Sequence, residues 1–286
     1  MVGREFLKDK LAMFSLVLLV LILIVVFSGA YYVNQGDIMT VSIFDKYAVP
    51  GSFNTNTGSR FILGADEGGR DVFWQLIIGA RNSIMIGFSI TILTSIIGVS
   101  VGVIAGFYGG IVDNILMRIV DFVMVLPIQM LIIVLVTIIP KYNVWSFILI
   151  MSSFYWVGKA RLFRGKTLSE GQRDYVSASK TLGTNDFKIM LREILPNLSS
   201  LIITNLTINF AANIGIETTL TFLGFGLPTN VPSLGTLITY ASNGDVLSNK
   251  LWVWLPASIL ILVMMLSINY IGQALKRSAD ARQRLG

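Results

Sequence analysis

The chain has 286 residues, 54% of them hydrophobic and 13% charged, with a formal net charge of +6 and neither cysteine nor histidine. That composition excludes thiol chemistry, disulfides and the usual zinc ligands, and a mean hydropathy of +0.73 excludes an ordinary soluble domain. The basic residues gather beside apolar runs, as the positive-inside rule requires of a membrane protein, so no nucleic-acid partner is expected.

Six segments, approximately 11–33, 82–106, 115–139, 143–162, 199–222 and 251–274, are apolar enough to cross lipid. Each crossing of about 30 Å needs roughly 20 helical residues. Lipid offers no partner for backbone polar groups, and no alternating strands of about ten residues appear, so all six are expected to be helices in an all-α polytopic fold. The first run follows the short basic stretch MVGREFLKDK. Ser28-Gly29-Ala30 resembles a cleavage site, but the run exceeds the usual signal core of about 7–15 residues and reads as a retained span.

These spans divide the chain into an N-terminal segment with its first helix (1–33), a loop (34–81), a core of five spans (82–275) interrupted by a polar loop (163–197), and a tail (276–286). The loop 34–81 carries Asp37, Asp45, Asp66, Glu67 and Asp71 and is too small for a catalytic domain with its own core. Arg4, Lys8 and Lys10, the polar loop, and Lys276, Arg277, Arg282 and Arg284 all fall on one side when six spans are counted. That side is expected to be the cytoplasm, with both termini there and 34–81 outside the cell membrane.

In the second span Gly98, Gly102 and Gly106 recur every four residues, a pattern that lets another helix approach closely, within the subunit or from a partner. In the third, Asp113 is a candidate N-cap, Pro127 is expected to kink the helix, and Arg118 and Asp121 are spaced to pair on one face. Pairing offsets part of the roughly 2.5–3.5 kcal/mol that an isolated charge costs in mid-span.

Gly158 to Asn197 is a charged island between apolar runs. It reads as two short helices. Asp174 to Leu182 places Tyr175, Ala178, Ser179 and Leu182 at helical spacing, and Gly183 supplies a left-handed stop. Thr184, Asn185 and Asp186 are candidate N-caps for the second, whose apolar side is Phe187, Met190, Leu191, Ile194 and Leu195 and which Pro196 is expected to end. Such an elbow on a membrane surface suits a docking knob for a soluble partner.

The fifth span carries Asn205, Asn209, Asn213 and Glu217, each four apart, on one slowly winding stripe. Amides and a carboxylate on one face suit a hydrated path for a polar solute; the alternative is hydrogen bonding to neighbouring helices at about 0.6 kcal/mol each. Asn209, Asn213 and Glu217 are the candidate path residues. No catalytic set is present. Gly165-Lys166-Thr167 lacks the glycine a phosphate-binding loop needs at Ala160, and Gly36-Asp37 and Gly244-Asp245 lie in loops rather than spans.

SASKTLG at 177–183, ten further residues and then ILPN resemble the EAA loop of ABC-transporter permeases that work with extracytoplasmic binding proteins. LGADEGGRDVFWQLIIGAR (63–81), GFYGGIVDNILMRIVD (106–121) and IETTLTFLGFG (216–226) resemble the second permease type of the dipeptide, oligopeptide and nickel importers. The resemblance implies a type I ABC importer (MetI-like) core forming half of a translocation pore in a bacterial or archaeal cell membrane. It also implies that Asp174, Tyr175, Ser177, Ala178, Ser179, Leu182 and Gly183 belong to a coupling helix received by an ATPase. The family's leading glutamate is replaced by Ser177, with Glu170 or Asp174 one or two turns away to substitute. The implied partners are a homologous permease subunit, two cytoplasmic ATPases that bind ATP and magnesium, and an extracytoplasmic peptide-binding protein; no cofactor is expected in this chain. The solute is expected to be a peptide, the alternatives being a nickel complex or an ion-coupled transporter.

Overall fold

The structure, a computed structural model, describes residues 9–33, 35–228 and 230–283; the side chains of 35, 37 and 279–283 lie outside the description. Arg4, Lys8 and Arg284, and the side chains of Asp37 and Arg282, therefore fall outside it.

The longest elements are α1 (Lys10–Tyr32), α2 (Val72–Tyr108), α8 (Asp186–Phe222) and α10 (Leu251–Gln283). Between them lie α3 (Gly110–Val125), α4 (Ile128–Ile138), α5 (Val144–Phe154), α6 (Val157–Gly171), α7 (Asp174–Thr181) and α9 (Leu234–Thr239). Among the described residues four helices are long and apolar enough to cross a membrane, and the bent pair α3–α4 makes a fifth.

Several expectations change. The second helix begins at Val72 rather than 82, because Asp71 caps it by accepting from the Phe73 and Trp74 amides. The last helix continues past 274 to Gln283. Pro127 does more than kink the third span: α3 and α4 meet at 79°. Leu126 is extended (φ −70, ψ 142), as the residue before a proline prefers. The segment 143–162 is likewise two helices, interrupted at Tyr155 and Trp156.

Apolar clusters hold the bundle. Ile84, Ile214, Leu234 and Met264 join α2, α8, α9 and α10, while Ile90, Ile132, Phe147 and Met151 join α2, α4 and α5. At the elbow end, Phe107, Phe163, Val176, Ile189 and Ile194 pack α7 and the start of α8 against α2 and α6. Asp9, which caps α1, also accepts from Arg277 at 2.5 Å and so ties the start of α1 to the end of α10.

The small-residue stripe of α2 is a contact within this chain. A Cβ at Gly98 would lie 2.8 Å from Trp156 O, at Gly102 2.6 Å from Ala160 O, and at Gly106 2.7 Å from Arg164 O, all on or beside α6. At the other end the loop before α2 closes around Asp66. Its carboxylate is fully buried and accepts from the Gly68 and Arg70 amides, Arg70 Nε, Gln75 Nε2 and Tyr240 OH. Burial and the neighbouring Asp66 carboxylate raise the Tyr240 phenol above its ordinary range.

Candidate functional site

The elbow is built from a helix stop and a helix start. Gly183 has φ +78, the Gly183 amide bonds Lys180 O at 3.0 Å, and the Thr184 amide bonds Ser179 O at 3.1 Å. This is the Schellman pattern, which satisfies carbonyls that the end of a helix leaves open. Asn185, one of three N-cap candidates, takes the role by accepting from the Phe187 amide. Pro196 does not end the second helix. The chain passes through a π-helical stretch, Met190–Ile194, and continues as Leu195–Phe222 with the proline in the first turn. The wider turn makes room for the proline ring beside the carbonyl four residues earlier, where a regular α-turn would clash.

The buried face of the elbow matches expectation at Met190 and Ile194 and departs from it elsewhere. Val176, Ile189, Met190 and Ile194 are buried, whereas Leu182 is 85% and Phe187 65% exposed, with Tyr175 and Leu191 also exposed. Helical spacing finds both faces of a short helix; it does not say which of two mixed faces meets the bundle. Leu182, Phe187 and Leu191 thus form an apolar crest on an otherwise charged knob.

Polar bonds tie α7 to the helices on either side of it. Glu170 accepts from Tyr175 OH at 2.6 Å and pairs with Arg173 at 3.2 Å; Asn197 donates to Tyr175 OH at 2.9 Å. Burial and the Glu170 carboxylate push the Tyr175 phenol up to about 12. Ser179 donates to Glu193 at 2.6 Å. Of the two acids proposed to replace the missing glutamate, Glu170 contacts the elbow helix directly. Asp174 sits exposed in the first turn of α7, where it complements the helix dipole. Ser177 and Ala178 are exposed. Glu193 was not singled out by the sequence; its spacing from Ser179 carries no local signal.

The expected Arg118–Asp121 pair is absent. Asp121 pairs with Arg161 and Asp113 with Arg164 at 2.5 Å, so two acids of α3 meet two arginines of α6. Arg118 is exposed and makes no ion pair among the described residues. A tertiary partner displaces the i,i+3 one because α3 packs its acidic side on α6. Asp113 is accordingly not an N-cap: Gly109 precedes α3.

The polar stripe of α8 divides. Asn209 donates to Asn205 O at 2.8 Å and to Asn205 Oδ1 at 3.1 Å, and both residues line a cavity of about 330 Å³. Asn213 instead donates to Thr91 Oγ1 on α2 at 2.8 Å and is buried. Glu217 is 0% exposed, ringed by the hydroxyls of Ser83, Thr221, Ser233 and Thr218. Neither faces an open path, because a 40° winding per step carries the stripe from the cavity into the contact with α2 and α9. Glu217→Ala is expected to strip four hydroxyls of their common acceptor and cost more than about 3 kcal/mol. A lowered melting temperature of the purified subunit, with glutamine restoring most of it, checks this; unchanged melting would contradict it.

Lys159 belongs to the charged island in sequence but not in space. It is 4% exposed and donates to Thr94 Oγ1 on α2. Among the described residues no group of three or more acidic side chains suits a metal ion.

Residues 98–285 match the family model of the binding-protein-dependent transport system inner membrane component. The oligopeptide transport system permease protein OppC of Lactococcus lactis subsp. cremoris (strain SK11) is 50% identical over 99% of this chain and 94% of its own length. OppC of Bacillus subtilis (strain 168) is 32% identical over 98% and 88%, and the dipeptide transport system permease protein DppC of that strain 31% over 98% and 85%. In structure, a chain of the inward-facing MetNI methionine ABC transporter aligns with TM-score 0.59 and 17% identity, over 73% of this chain and 97% of that one. Together with the elbow and the membrane-spanning bundle, these likenesses place the chain in the family of binding-protein-dependent transport system inner membrane components, with the all-α fold of a type I ABC importer permease.

Proposed function

We propose that this chain is a permease subunit of an ATP-driven oligopeptide importer, forming half of the pore in the cell membrane. The carrying observation is the 50% identity to an oligopeptide permease across 99% of the chain. On this reading the segment 143–162 completes six crossings despite its break, and the elbow and both termini are cytoplasmic, as their basic residues favour. A homologous permease supplies the other half of the pore. Two ATPases that bind ATP and magnesium receive the crest of Leu182, Phe187 and Leu191, and an extracytoplasmic binding protein delivers peptide to the opposite face. Closure of the ATPases draws the two elbows together, and α8, continuous with the elbow, carries that movement into the bundle.

The test is uptake of a labelled oligopeptide into sealed proteoliposomes holding the whole complex and loaded binding protein. Uptake is expected to require ATP and to survive collapse of ion gradients. Uptake driven by an ion gradient without ATP would replace this reading with an ion-coupled transporter, and uptake of a nickel complex but no peptide would replace the solute.

A further inference from the structure

Two helix breaks face one cavity. Met124 and Ile128 flank the α3–α4 bend, Phe154 and Tyr155 end α5, and all four line the same space of about 330 Å³ as Asn205 and Asn209. Irregular backbone at membrane depth is stable where it lines a polar cavity. Discontinuous helices of this kind place free backbone groups beside a solute.

The first turn of α6, Val157, Gly158 and Lys159, lines the cavity as well. That helix starts without a side-chain cap: Trp156 makes no capping bond, and its indole is committed to Ser153 O. Its amides add positive character to a cavity that Lys159 also lines. Lys159 is the unusual element. An ammonium has three protons to give, and this one gives one to a neutral hydroxyl on Thr94 and pairs with no carboxylate among the described residues. A buried cation without a counter-charge is costly, and the acids that α3 brings to this helix, Asp113 and Asp121, pair with Arg164 and Arg161. Asn205 and Asn209 complete the lining with carboxamides, which orient a polar group without adding charge.

We propose that Lys159, the uncapped first turn of α6, and Asn205 and Asn209 form a subsite for the terminal carboxylate of a transported peptide. The proposal rests on the peptide-importer reading. A solute anion supplies the counter-charge that the protein withholds, and its transit relieves the unpaired ammonium.

The complete complex in proteoliposomes tests this with labelled tetra-alanine and its C-terminal amide, each saturating the binding protein so that capture does not set the rate. The wild type is expected to carry the acid about tenfold faster than the amide, the scale of one hydrogen-bonded charge. Lys159→Met is expected to bring the acid down to the amide rate while the amide rate holds, and Lys159→Arg to keep the preference. Equal loss of both peptides in Lys159→Met would make the lysine a brace between α6 and α2 and overturn the subsite. Equal rates for the two peptides in the wild type, or a preference that survives Lys159→Met, would overturn it too. If the wild type carries neither peptide while its ATPase is active, the importer reading itself falls, and the subsite falls with it.

Discussion

Gly102→Leu is expected to leave little folded protein in the membrane. A Cβ there would sit 2.6 Å from Ala160 O, 2.8 Å from Phe163 Cβ and 2.9 Å from the Arg164 nitrogen. Two of these atoms are backbone and cannot turn aside. Relief requires α6 to move off α2, and α6 carries the arginines that pair with Asp113 and Asp121 and the phenylalanine that anchors the elbow. Overpacking of a well-packed core costs about 1–3 kcal/mol when side chains can adjust, and here the rigid neighbours put the effect above that range. The measurement is the amount of monodisperse subunit recovered in detergent, with Gly158→Leu as control because nothing lies within 4 Å of a Cβ at that position. Equal recovery of both variants would mean that the α2–α6 contact is dispensable.

Gly183→Pro is expected to act oppositely: normal insertion, and transport reduced by two orders of magnitude or more. Its surroundings are open, so bulk is not the obstacle. The obstacle is conformational. Proline fixes φ near −65°, whereas Gly183 has φ +78 and donates its amide to Lys180 O. The Schellman closure is lost, α7 turns away from α8, and Leu182 and Phe187 no longer share one crest. Gly183→Ala keeps the amide and pays only about 1–2 kcal/mol for the left-handed backbone, so it should retain much of the activity. Peptide uptake and membrane abundance, measured together, check this. Normal uptake by the proline variant would remove the elbow from the coupling mechanism.

The sequence makes the elements strongly written by local chemistry legible. Gly183 announces a left-handed stop because few other residues tolerate that backbone, and Asn185 announces a start because its side chain can replace a missing carbonyl. The apolar runs likewise announce their helices. What the sequence hides is set by tertiary packing. Arg118 and Asp121 have the spacing of a pair, but α6 offers Arg161 to Asp121, and no local pattern reveals that the two helices lie side by side. Lys159 stands among solvated basic residues in sequence yet is buried, because the helix it opens begins inside the bundle. Glu217 looks like the polar end of a stripe, and only the fold shows four hydroxyls converging on it from α2, α8 and the approach to α9. Pro196 reads as a terminator because its cost is local; a π-helical turn absorbs that cost and makes the elbow and the membrane helix one rod.

The proposed ATP-driven transport requires the elbow to be an exposed, cytoplasmic seat for an ATPase. The absence of cysteine from the chain makes that directly measurable with Ser59→Cys in the loop before α2 and Leu182→Cys on the crest, both exposed positions. In intact cells a membrane-impermeant thiol reagent is expected to label Ser59→Cys alone. In inside-out vesicles stripped of ATPase it is expected to label Leu182→Cys, and adding back the ATPase subunits should protect that cysteine. Labelling of Leu182→Cys in intact cells, or labelling in vesicles that the ATPases leave unchanged, would contradict the account.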